Sequence, residues 1–202
     1  MGLPNSSVNQ ARRVEVVTWL QKEEYWWCYL DVDEIASGKR KRLPEVKRVA
    51  KVPDELDVSH DHGTLVSWKK CDRLSYRRFS KLVSALRYDI GRIFRHHLWA
   101  GRVIRINSTP VRTIDPLFQQ EGEGLVGAIN YGSTIEYEIR IPIESLHQQT
   151  SRVQVRFVEL PIDKWHKLSN KEKQGYGISK RAGMSILRAN REVDYGWFFM
   201  GN

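Results

Sequence analysis

The sequence predicts an α+β protein, built mostly of antiparallel sheet with one long helix. Three observations carry this. Extended segments with period-two alternation dominate, most plainly at 133–143. There Ile135, Tyr137, Ile139, Ile141 and Ile143 face one way, and Glu136, Glu138 and Arg140 face the other. A second alternating segment, 151–160 (Val153, Val155, Phe157), follows after a polar gap and is placed to pair with it. A single stretch carries helical spacing instead, with Phe79, Leu82, Val83, Leu86, Ile90, Ile93, Phe94 and Leu98 on one stripe.

In chain order, 13–20 is a strand rich in β-favouring residues, and 24–35 reads as an aromatic strand with Leu30, Val32 and Glu34 on one face. The run Gly38-Lys39-Arg40-Lys41-Arg42 reads as a loop or hairpin tip. Short strands are expected at 47–53 and 65–68, separated by an acidic, histidine-bearing loop at 54–62. The long helix follows, with Ser75 as its N-cap and Gly101 as its stop. Gly91 inside it marks a close packing contact. Beyond it come a strand at 102–107, the two alternating strands, and a short helix near 169–173. A Gly- and Lys-rich loop at 175–183 then leads to two strands, 184–188 and 192–199, around an Ala189-Asn190 turn.

Composition sets the class. Of 202 residues, 41% are hydrophobic and 28% charged, which excludes a disordered chain. Lys+Arg of 33 against Asp+Glu of 24 gives a formal charge of +9. Two cysteines, Cys28 and Cys71, exclude a disulfide-built scaffold and suit a reducing compartment. No apolar run is long enough for a bilayer span, and the N-terminus does not read as a signal peptide. The expectation is a basic cytoplasmic protein with no membrane partner.

Most short motifs resolve to ordinary structure. Gly122-Glu123-Gly124-Leu125-Val126-Gly127 matches GxGxxG but lacks the strand before and helix after that a dinucleotide site needs. Asp57, His60, Asp61 and His62 have no second cluster to complete a metal's ligands, so a solvated loop is expected and no metal site is assigned. A histidine in the last turn of a helix is favoured by the dipole, which accounts for His96 and His97 without catalysis. Arg77, Lys81, Arg92 and Arg95 on the polar face of the long helix, with the run 39–42, could contact phosphates and make DNA a partner. The rival reading is a solvated face. Trp26, Trp27 and Trp197 would instead mark a partner surface on a scaffold domain.

Three segments together carry a family resemblance. Gly2-Leu3-Pro4-Asn5-Ser6-Ser7 runs into Gln10-Ala11-Arg12-Arg13-Val14-Glu15-Val16. His62-Gly63-Thr64-Leu65-Val66 precedes Asp72-Arg73-Leu74. Gly183-Met184-Ser185-Ile186-Leu187-Arg188-Ala189-Asn190-Arg191-Glu192 precedes Asp194-Tyr195-Gly196-Trp197. Their order resembles the GHKL ATPases (gyrase B, histidine kinases, MutL, the ninety-kilodalton heat-shock chaperone), closest to a MutL- and MORC-like bacterial branch.

The resemblance implies a chain that runs from the ATP lid through most of the transducer. Residues 1–71 would be the C-terminal part of a Bergerat ATP-binding sandwich, and 72–202 a transducer domain with a ribosomal-protein-S-five-like fold. Gly2 and Leu3 would end the glycine-rich lid box, Ser6 and Ser7 would sit at the entry to its helix, and Gly63 and Thr64 would be the GT element at the nucleotide pocket. A transducer lysine that reaches the γ-phosphate is matched best by Lys180, with Arg181 second; a cation there stabilises developing charge. The family's glutamate base, its magnesium-binding asparagine and its DxGxG adenine segment lie upstream of the lid, and DxGxG is absent here. ATP and Mg²⁺ are therefore expected in the parent protein, with no hydrolysis by this chain alone. The remainder of that ATPase, and a second copy in an ATP-bound homodimer, are the implied partners.

Overall fold

The computed structural model describes residues 2–21, 24–42, 44–51, 60–122, 125–141, 149–178 and 183–198. It is mixed α+β, with small antiparallel sheets and several helices. The chain divides into two compact units, Met1–Arg78 and Phe79–Asn202.

The first unit holds helix α1 (Leu3–Val8), strands β1 (Arg13–Trp19) and β2 (Tyr25–Asp31), helix α2 (Val32–Ala36), and strands β3 (Lys47–Val49) and β4 (Gly63–Lys69). The strands form one antiparallel sheet in the order β3-β2-β1-β4. Register follows from the side chains. On one face of β1, Val17 meets Trp27 and Leu65, and Trp19 meets Tyr25 and Gly63. These residues and Val49 make the buried apolar cluster, in which Val17, Trp19 and Tyr25 are nearly inaccessible. The Trp19 and Tyr25 rings meet edge to face at 5.9 Å, the arrangement their quadrupoles favour.

The expected strand at 24–35 ends at Asp31. Its carboxylate accepts the backbone N–H of Asp33 at 2.9 Å and of Glu34 at 3.2 Å, which caps a helical turn and takes Val32 and Glu34 out of the strand.

The second unit begins with helices α3 (Phe79–Ile93) and α4 (Arg95–Trp99), followed by short strands β5 (Arg105–Ile106), β6 (Thr109–Pro110) and β7 (Ile129–Asn130). Then come β8 (Ile135–Ile141), β9 (Gln149–Val155), β10 (Val158–Glu159), helices α5 (Ile162–Trp165) and α6 (Asn170–Gly175), and strands β11 (Met184–Arg188) and β12 (Arg191–Gly196). As expected, β8 pairs with β9, and β11 with β12 around Ala189 and Asn190, both of which have positive φ. The helix at 170–175 is set by a capping box between Ser169 and Glu172.

The single long helix is two. It starts at Phe79 rather than after Ser75, because Arg73 is held back on the first unit: its backbone N–H bonds the Gln10 carbonyl and its guanidinium the Val8 carbonyl at 2.8 Å. It breaks at Phe94, whose φ of −103° and ψ of 16° leave the α region. Gly101, at φ +83°, ends the second piece as expected. Gly91 is a close approach: a β-carbon there would stand 2.4 Å from the Arg112 carbonyl oxygen.

Replacing Trp19 with alanine empties the centre of the first unit's cluster. The expected cost is about 3–5 kcal/mol in urea unfolding; a loss below about 1 kcal/mol would place the core elsewhere.

Candidate functional site

The residues matched to the nucleotide pocket fall at two ends of the first sheet. Helix α1 is entered by Gly2 and Leu3, with Pro4 in its first turn. Ser6 is exposed and turns its hydroxyl back to the carbonyls of Gly2 (3.0 Å) and Leu3 (3.1 Å). Ser7 is fully buried, and its hydroxyl accepts the indole N–H of Trp68 at 3.0 Å. That bond seats the helix on the far end of β4.

Gly63 and Thr64 open the same strand. Trp68 and Thr64 are four residues apart on it, on the order of 13 Å at about 3.3 Å per residue. The structure therefore does not bring Ser7 and Thr64 together. Both residues also have local partners. A β-carbon on Gly63 would lie 2.8 Å from the Trp19 ring, so the glycine admits the indole. The Thr18 hydroxyl donates to the Gly63 carbonyl at 3.1 Å and lies 3.0 Å from the Thr64 hydroxyl. With its only proton so used, Thr18 accepts from Thr64.

Lys180 and Arg181 lie outside the described residues, as do Asp57 of the histidine loop and Glu123 and Gly124 of the GxGxxG match. Gly122 is packed against the Thr113 carbonyl. Among the described residues no group of three or more His, Cys, Asp or Glu side chains is placed to hold a metal. Among the described residues, no helix is long and apolar enough to cross a membrane.

The four basic residues assigned to one solvent face divide. Arg77 and Lys81 are exposed. Arg92 and Arg95 are not on that face: they are only 8% and 3% exposed and close on Glu192, itself 4% exposed. Arg92 Nη1 donates to one Glu192 oxygen. Arg95 Nη1 donates to the other at 3.0 Å, and its Nη2 to the Ser185 hydroxyl at 2.9 Å. The Ser185 hydroxyl donates to Glu192 at 2.7 Å. The Arg92 guanidinium also lies 4.0 Å from the centre of the Tyr195 ring.

The helical wheel grouped both arginines with Arg77 and Lys81 on the side opposite the apolar stripe. What it missed is a carboxylate about a hundred residues away that faces that side. Burial pushes the Arg95 guanidinium below its ordinary value, against the pull of Glu192. Burial, then the neighbouring Tyr88, pushes the Tyr195 phenol up to about 12. His96 is pushed down by burial and then by the Arg95 charge. His96 and His97 both lie in the last turn of α4, the helix end the sequence reading gave them.

A second polar cluster lies at the α2 end of the first sheet. Glu15 is buried on the same face as Val17 and Trp19, paired with Arg13 at 2.8 Å and Lys69 at 3.1 Å. Arg13 also reaches Asp31 at 3.3 Å and covers the Tyr29 ring at 4.2 Å. Arg40, from the basic run 39–42, bonds Glu34 at 2.7 Å and the Tyr29 hydroxyl at 2.8 Å, while Lys39, Lys41 and Arg42 are exposed. The sequence signal for this cluster was Glu15 itself, a charge at a position where the alternation demands an apolar residue. Of the three tryptophans suggested for a partner surface, Trp26 and Trp197 are exposed and Trp27 packs on the core cluster.

No protein-family profile, no curated protein and no solved structure matches this chain.

The acid response follows from Glu15 and Asp31. Burial works against charge on both. It is outweighed at Glu15 by Lys69 and Arg13, and at Asp31 by the Glu34 and Asp33 backbone N–H groups and Arg13, so both carboxyls sit below their usual range. Their stabilisation is present above the unfolded pKa of about 4 and is lost as pH falls through the lowered folded values. Thermal unfolding from pH 7 to pH 2 should show that loss. Asp31→Asn should lower the pH 7 midpoint and flatten the acid slope; an unchanged slope would contradict the assignment.

Proposed function

We propose that this chain is the lid-to-transducer part of a GHKL-type ATP-binding protein, which couples nucleotide binding to conformational change. One observation carries the reading beyond its motifs. The first unit is a single sheet with one packed face and one half-covered face. On the latter, α1 is tied to Trp68 by the Ser7 bond, yet Trp26, Val66 and Trp68 are all still 40–46% exposed. A two-layer sandwich needs a helical layer over such a face. The upstream helix with the glutamate base, which the resemblance implies, is proposed to supply that layer.

In this reading the exposed entry of α1 (Gly2, Leu3, Ser6) belongs to the lid. Ser7 acts through Trp68 as the anchor of the lid helix, not as a phosphate ligand. Thr64 would reach nucleotide only after giving up its bond to Thr18. Lys180 is proposed to meet the γ-phosphate, and ATP with Mg²⁺ to be bound by the parent protein. The second unit is proposed to be the transducer.

The test has two parts. Coding sequence in frame upstream of Met1 should carry the glutamate-and-asparagine helix and then DxGxG; their absence overturns the reading. In that parent protein, Lys180→Ala should lower ATP turnover about a hundredfold, the scale of one lost charge-stabilising donor. Unchanged turnover would remove Lys180 from the site.

Nucleic-acid binding is the second reading, favoured by one observation: of the basic residues it names, Arg77 and Lys81, and Lys39, Lys41 and Arg42 of the basic run, are exposed. With Arg92 and Arg95 spent on Glu192 and Arg40 on Glu34, the exposed cations left should make duplex affinity fall with salt, each phosphate contact adding about −0.9 to the log–log slope. A flat response removes this reading.

A further inference from the structure

We infer that the hairpin β11–β12 is a separately releasable element, held to α3 and α4 by an arginine latch closed on Glu192. The hairpin is a two-stranded sheet whose strands pair with each other alone among the described strands. Such a hairpin is marginal unless something else holds it. Helices α3 and α4 both pack on β12.

The side-chain contacts across that junction run through guanidinium groups. Glu192 takes Arg92 and Arg95, and Ser185 takes Arg95. Tyr195 lies under Arg92, and Phe94 lies under Arg191 at 5.3 Å. The apolar residues of the hairpin contribute little, since Met184, Ile186, Leu187 and Val193 are 39–56% exposed. Charge-assisted and bidentate bonds are the strong, directed ones, so these few contacts carry the junction.

Glu192 is the single carboxylate that both arginines and Ser185 share, so removing its charge should open the whole junction at once. The bulge between Ile186 and Leu187, opposite Val193, places Glu192 in this position by shifting the register of β12. Once released, the hairpin is marginal by itself and its own ladder opens, while the helices keep their backbone hydrogen bonds.

The test is amide hydrogen exchange on the full chain, comparing wild type with Glu192→Gln, an isosteric change that keeps shape and removes charge. Protection at 184–188 and 191–196 should fall at least about tenfold, the scale of one lost charge-assisted hydrogen bond. Protection at 83–92 in α3 should not change. Loss of protection in both segments together, or in neither, overturns the latch. Should Glu192→Gln fail to fold, the wild type decides alone. There the hairpin amides should exchange through a smaller opening, at lower free energy and lower denaturant dependence than those of α3. One common opening for both overturns the inference.

Discussion

The junction between the β11–β12 hairpin and helices α3 and α4 depends on one buried carboxylate. Glu192 holds two guanidinium groups from consecutive helices and a serine hydroxyl from the neighbouring strand, with almost no access to water. Removing three charges from water is costly, and only short, well-directed bonds offset it. Once formed, the arrangement is specific: breaking a buried pair by deleting one partner typically costs about 3–5 kcal/mol. Buried apolar residues in this unit are few among those described, namely Val111, Ala128 and Trp165. The ion cluster, not a large apolar core, fixes how the helices meet the hairpin.

The first unit solves a similar problem differently. Its sheet has a true apolar cluster at the Trp19 end and a charged one at the α2 end, both on the same face. Arg13 spans Glu15, Asp31 and Tyr29, so one side chain closes the β1–β2 pairing and supports the aspartate that turns the chain into α2. The opposite face is the unfinished one, with Trp26 and Val66 in water. That asymmetry is why the functional reading asks for a further layer.

Much of this was legible in the sequence wherever local chemistry decides. The alternation of Ile135, Tyr137 and Ile139, the Ala189-Asn190 turn and the short helix near 169–173 are all set within a few residues, and each appears where expected. Failures came where a distant group intervened. Asp31 stops a strand by capping the next turn, Arg73 delays a helix by bonding Val8, and Glu192 buries two arginines that a helical wheel leaves on the polar side. The candidate nucleotide residues were legible only through motif order. The fold gives Gly63, Thr64 and Ser7 structural partners that periodicity cannot reveal.

The central physical claim is that Glu192 and Arg95 act as one unit, and a double-mutant cycle tests it most directly. With Glu192→Gln, Arg95→Met and the double variant compared by urea unfolding, the predicted coupling is about 1.5–3 kcal/mol. Additive effects, with coupling below about 0.5 kcal/mol, would contradict the claim that this carboxylate ties the hairpin to the helices.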